Sequence, residues 1–264
     1  METMAQNETI QEMLRLFEQN GHKEQSAELS TLLWYADGLA RQYEAVLQQL
    51  ADVQGQLAKM TERKSPSQEA LDKSMTALRV RLDAVRQKFA DIRNHVTAWA
   101  KDTVENFQIA GVTALGRAVS AIHLKGALET AQKGLQDAVA DVNAAIDRAE
   151  VVNFELHTAK RHIRNALYAA IGKAPPSRLR DGELFGKAVL SPLRGIKKAL
   201  NGMNNNMLGA IGMAEHLEER AAQARDRRAE KKASIRQELK EMKELSASRT
   251  APEQHERKPQ EAAI

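Results

Sequence analysis

Cysteine is missing from all 264 residues, which excludes a disulfide framework and a thiolate metal site and removes thiol redox chemistry. A reducing cytoplasm is the compartment such a chain suits. Aromatic residues are only 4% of the chain, so a thick globular core is not expected. Long apolar runs are missing too. The least polar stretch, 109–128, is interrupted by Arg117, His123 and Lys125, short of the about 20 apolar residues that span a bilayer. Residues 1–6 lack the basic and apolar regions of a signal peptide, so neither export nor a membrane is expected. No proline lies between Pro66 and Pro175, so nothing in that interval forces a kink.

What is present is a strict four-three alternation of apolar or alanine residues, in a chain that is only 42% hydrophobic. Its first arm runs Leu29, Leu32, Ala36, Leu39, Tyr43, Val46, Leu50, Val53, Leu57, Met60, and its second Leu71, Met75, Leu78, Leu82, Val85, Phe89, Ile92, Val96, Trp99. A third runs from Leu124 through Leu128, Ala131, Leu135, Ala138, Val142, Ala145, Ala149, Val152, Leu156, Ala159, Ile163 and Ala166 to Ala170. The fourth is Leu193, Ile196, Leu200, Met203, Met207, Ala210, Ala214, Leu217, Ala221, Ala224. This spacing lays one apolar stripe along each of four helices. The fold class expected is all-α, an elongated antiparallel helical bundle or coiled coil of about four long helices plus a short N-terminal helix.

Punctuation divides the arms. Residues 7–20 form a short amphipathic helix, with capping-box spacing between Thr9 and Glu12 and an end at Asn20-Gly21. Ser65, Pro66 and Gln68 combine an N-cap, a first-turn proline and a capping box, so a helix starts there and the first two arms fold back on each other as a hairpin over 25–122, broken near 61–66. The heptad phase slips by four residues before Leu124, which marks either a stutter in one continuous helix or a turn. Gly126 is the favoured turn residue, with Gly111 and Gly116 as alternatives. The third arm, about 126–172, has an alanine-rich seam suited to close helix packing, and Gly172 with Pro175 and Pro176 ends it. A basic linker over 173–191 leads to a Ser191-Pro192 start of the fourth helix, 192–245, followed by a disordered tail over 246–264. Trp34, Tyr35 and Trp99 read as packing residues.

Net charge is +4, unevenly placed: residues 1–172 carry 20 Lys or Arg against 22 Asp or Glu, and residues 173–264 carry 19 against 13. Candidate contacts to an anionic partner are therefore Arg178, Arg180, Arg194, Lys197 and Lys198 in one segment and Arg225, Arg227, Arg228, Lys231 and Lys232 in another. Apart from Phe185 these segments lack rings to stack on unpaired bases. The histidines show no metal-ligand spacing, and Gly182 to Lys187 is one residue short of a phosphate loop, with Ala188 where a hydroxyl would be needed. No catalytic residue, cofactor or metal is assigned, and enzymatic activity is not expected.

The run ETIQEMLRLFEQNGHKEQSAELSTLLWYADGLARQYEAVLQQLADVQGQLA over 8–58, the stretch from Ala159 and Lys160 through Asn165 and Ala166 to Gly172 and Lys173, and the later Pro192-Leu193 helix resemble an uncharacterised all-helical family of Firmicutes, often met in genomes carrying conjugative elements. That resemblance implies a bacterial cytoplasmic setting and brings no site residues with it. The reading is a non-enzymatic helical scaffold that acts through a protein partner or self-association, or alternatively an accessory nucleic-acid-binding protein using segments 173–198 and 225–243.

Overall fold

The computed structural model describes residues 3–60, 65–111, 115, 118, 124–173 and 183–249. The fold is an all-α bundle. Its helices are α1 (Glu8–Gln19), α2 (Lys23–Lys59), α3 (Pro66–Ala110), α4 (Leu124–Ala170) and α5 (Ser191–Arg249), preceded by one 3-10 turn, Met4–Gln6. Two compact units result, Met1–Glu219 and Arg220–Ile264.

Within the first unit, cross-helix contacts run in reverse order along each neighbouring pair. Glu44 meets Arg86 at 2.7 Å and Gln54 meets Arg79 at 3.2 Å, so α2 and α3 are antiparallel. Arg81 reaches Asp141 at 2.9 Å and Asp137 at 3.3 Å, while Ser67 donates to Glu155, so α3 and α4 are too. Lys125 pairs with Glu215 at 2.6 Å and Glu150 with Arg194 at 2.7 Å, turning α5 back along α4. His216 lies 3.4 Å from Glu28, which closes the ring from α5 to α2. This is an up-down-up-down four-helix bundle. The core is the predicted seam: Leu29 to Leu57 in α2, Leu71 to Trp99 in α3, Leu124 to Val152 in α4 and Leu193 to Leu217 in α5 are buried at every step of the alternation.

α3 packs more closely on α4 than on α1 or α2. Leucine, valine and tyrosine on α2 hold its axis away from α3, whereas Ala131, Ala138 and Ala145 let α4 come close. Gly134 marks the limit, because a Cβ there would lie 2.6 Å from Val85 Cγ2. α1 covers the open side of α2 and α3 with Ile10, Met13 and Phe17, all fully buried.

Several expectations need correction. Asn7, not Thr9, caps α1, accepting from the Ile10 N–H, and Gly21 closes that helix at φ 84. Gly126 sits inside α4. The left-handed glycine is Gly111, with φ 61, which ends α3 and accounts for the register slip as a turn rather than a stutter. Gly126 gains nothing from that conformation, because the seam of α4 already begins at Leu124, buried against the core. Ser191 is no cap: its φ of −62 and ψ of −49 are helical, and its N–H bonds back to Gly186. The chain enters α5 through a helical turn, Glu183–Phe185, and a widened π turn, Gly186–Leu190, that accommodates Pro192, a residue with no N–H to donate. The segment expected as a basic linker thus closes the end of the core with Phe185, Val189 and Leu190.

The third seam stops early. Val152 is buried, but Ala159, Ile163, Ala166 and Ala170 are exposed, because among the described residues no helix covers the seam of α4 beyond the start of α3. Trp34 is likewise 62% exposed, resting edge-on against Tyr35, so it is not a core residue, whereas Trp99 is buried and donates to the Ala118 carbonyl at 2.9 Å. The end of the chain expected to be disordered lies outside the described residues from 250 onward; 246–249 are helical.

Replacing Gly134 by alanine is expected to lower stability by about 1–3 kcal/mol through overpacking, despite the better helix propensity. Gly38→Ala and Gly55→Ala, at helical sites with nothing within 4 Å of the new methyl, should instead raise it, by up to about 1 kcal/mol. Urea midpoints check both, and coupling of Gly134→Ala to Val85→Ala in a double-mutant cycle identifies the contact.

Candidate functional site

Of the ten basic residues named as anionic-partner contacts, Arg178 and Arg180 lie outside the described residues. Arg194, Lys197 and Lys198 fall on one face of the first turns of α5, but Arg194 is engaged with Glu150, so part of that charge is already matched. Lys197 is half-buried and Lys198 exposed. Arg225, Arg227, Arg228, Lys231 and Lys232 all lie on the α5 backbone in the second unit, where Arg227, Lys231 and Lys232 are exposed beside the equally exposed Asp226 and Glu230. The two basic groups therefore belong to separate units, and each is diluted by carboxylates.

Two features escaped the sequence reading. The first is a cleft of about 310 Å³ where the N-terminal turn folds over α2 and α3, walled by Met4, Asp37, Tyr43, Glu44, Arg86 and Phe89, with Arg93 at its edge. Asp37 organises it. Its carboxylate is buried and accepts from the Met4 and Ala5 N–H groups, both at 3.0 Å, which satisfies the first donors of the 3-10 turn and places negative charge at the positive end of its dipole. Tyr43 donates its hydroxyl to the Leu82 carbonyl at 2.7 Å and packs against Phe89, with ring centroids 5.7 Å apart. Burial, with the charges of Asp83 and Glu44 nearby, pushes the Tyr43 hydroxyl far above the usual phenol range. Arg86 is held by Glu44. Asp37, Tyr43, Glu44 and Arg86 thus all have partners within the fold, and Asp37 binds the N-terminal turn to the bundle.

The second feature is the open face of α4. Ile163, Leu167 and Ile171 are 63%, 62% and 63% exposed on a helix whose preceding turns are core. Asp37 carried no sequence signal, since an acid one step beyond Ala36 looks like ordinary helix surface. The α4 face did carry one, because no Asp or Glu occurs from Leu156 to Lys173, yet it was masked by a seam that continues unbroken in the sequence.

A family model matches residues 6–263, nearly the whole chain and both units. The chain belongs to DUF6674, a family of unknown function. No curated protein and no solved structure matches it. Family membership therefore brings no assigned residues to these surfaces. Among the described residues no helix is long and apolar enough to cross a membrane, and no group of His, Asp and Glu is placed to hold a metal ion.

Asp37→Ala should cost about 1.5–3 kcal/mol, since both N–H donors lose a charged acceptor. Hydrogen exchange checks it: protection at Met4 and Ala5 is lost while that of α4 persists. For Tyr43 the sign follows from its raised pKa. The unfolded chain releases this proton from about pH 10 while the folded chain keeps it, so the stability is present below about pH 10 and falls as the pH rises further. Tyr43→Phe should remove that part of the alkaline loss, read from urea midpoints on either side of about pH 10.

Proposed function

We propose that this chain is a non-enzymatic helical scaffold that works by protein–protein interaction. The observation that carries the proposal is the character of α5 in the unit Arg220–Ile264. Each described side chain from 222 to 244 is exposed, yet Ile235, Leu239 and Met242 keep the four-three spacing of a packing seam. A stripe at that spacing on a solvated helix is what one strand of a coiled coil offers a second helix. Its flanks carry both signs, with Arg236, Lys240 and Lys243 among Glu238, Glu241 and Glu244, and mixed flanking charge sets partner choice in helix pairing. The four seams are buried within the bundle from Leu29 to Leu57, Leu71 to Trp99, Leu124 to Val152 and Leu193 to Leu217, so this stripe lies outside the core. A bacterial cytoplasmic setting, among genes of conjugative elements, is part of the proposal and rests on the resemblance of residues 8–58.

The alternative is accessory nucleic-acid binding, supported by the excess of positive charge in residues 173–264 and by the exposure of Lys198, Arg227, Lys231 and Lys232. Acids interleaved with those cations weaken it, because each repels a phosphate.

The two readings separate in one experiment. Affinity capture of the full chain after nuclease treatment should retain a protein partner, and the Ile235→Lys, Leu239→Lys, Met242→Lys variant should lose it with the bundle still folded by circular dichroism. Capture abolished by nuclease would favour the alternative. So would duplex binding that falls steeply with salt and is lost when Lys197, Lys198, Arg227 and Arg228 become glutamine.

A further inference from the structure

α4 outruns the bundle. Its last fully buried residue is Val152, and beside Glu155 stands Ser67, at the start of α3; in the turns beyond, Ala159, Ile163, Ala166 and Ala170 on the seam side are exposed. From Leu156 to Ala170 the helix continues for roughly 20 Å at about 1.5 Å per residue. Over that length Leu156, Ala159, Ile163, Ala166 and Ala170 stay in phase with the buried Ala145, Ala149 and Val152, and Leu167 borders them. Leu156 is half-buried where it meets the bundle; the rest are exposed.

Charge on this segment has one sign. Between Leu156 and Lys173 stand Lys160, Arg161, Arg164, Lys173, His157 and His162, and no carboxylate. Lys160 borders the stripe directly and is exposed, whereas Arg164, one turn on, is half-buried. A basic, one-faced helix of this kind fits a membrane surface, a second copy of the chain or an acidic partner helix. The seam distinguishes them. Alternating alanines suit close approach of another helix, whereas a helix lying in a lipid interface needs a broad bulky face with rings at its edge; Phe154 is half a turn away from Ile163, and Tyr168 also points away from the stripe. Pairing of two such segments would bring together two stretches whose only charges, from Leu156 to Lys173, are positive, which is destabilising.

We propose that the free end of α4, residues 156–171, is a docking helix for an acidic amphipathic helix of a partner protein. The proposal rests on the interaction reading given above but uses a different helix, so the two can fail separately.

The test uses the full chain carrying Ile235→Lys, Leu239→Lys and Met242→Lys, which silences the α5 stripe. The probe is a fluorescent synthetic helix with leucine at the seam positions and glutamate on both flanks, read by anisotropy. Saturable binding is expected, at least about tenfold weaker, or about 1.4 kcal/mol, for the same peptide with lysine flanks. Ile163→Ser with Leu167→Ser should weaken the glutamate peptide by a similar factor, and these exposed sites leave the bundle intact. Lys160→Glu, at an exposed site, should narrow or invert the preference for the glutamate peptide. Equal binding of both peptides, or none, would overturn the proposal. So would binding to vesicles of equal parts phosphatidylcholine and phosphatidylserine in place of the peptide, or a dimer in sedimentation that Ile163→Ser abolishes. Loss of the captured partner in the α5 variant alone, with no peptide binding to α4, would leave the scaffold reading standing and this one refuted.

Discussion

Gly134 has no room for a methyl group, and that single close approach of α4 to α3 governs how the other helices are placed. With Ala131, Ala138 and Ala145 on the same seam, α4 packs more closely on α3 than α1 or α2 does. A pair this close leaves narrow grooves on either side. The bulkier seams of α2, with Tyr43 and its leucines, and of α5, with Met203 and Met207, fill the width that the alanines leave. Unequal seams are therefore complementary: large residues on two helices are needed because small ones line the third.

Helix lengths impose the second constraint. α2 has 37 residues, α3 45, α4 47 and α5 59, so a four-sided core can exist only where all four overlap. Where α3 begins, α4 still has more than a dozen residues to run, and its seam passes from core to solvent without any change in sequence character. The closing residues at that end, Phe185, Val189 and Leu190, come from the turn that leads into α5, and they seal the bundle below the projecting part of α4. An apolar stripe that is stabilising inside the overlap becomes an exposed surface outside it, and this gives the molecule its candidate interaction faces.

Much of the architecture was readable residue by residue. Ser65 forms the capping box expected of it, bonded to Gln68 in both directions, and each seam residue of α3 from Leu71 to Trp99 is buried. These are local properties: a hydroxyl, a proline and a four-three spacing act within a few turns of one helix. The turn after α3 was misplaced because Gly111 and Gly126 are indistinguishable by type, and only the backbone angle selects between them. Asp37 was unreadable for a different reason. Its partners, the Met4 and Ala5 N–H groups, are more than thirty positions away, and nothing in a helix period announces a chain end folding back.

The sequence by itself determined that four long helices form, that α1 ends at Gly21, and that each helix has one face to bury, because helix periodicity and capping are short-range effects. It also placed every charge, including the acid-free stretch from Leu156 to Lys173. Only the tertiary structure decided which stripe faces which and where each stripe stops being core. Burial depends on a neighbour, and no residue carries information about the length of the helix beside it. The seam of α4 reads identically at Ala145 and at Ala166, yet one is sealed in the bundle and the other meets water.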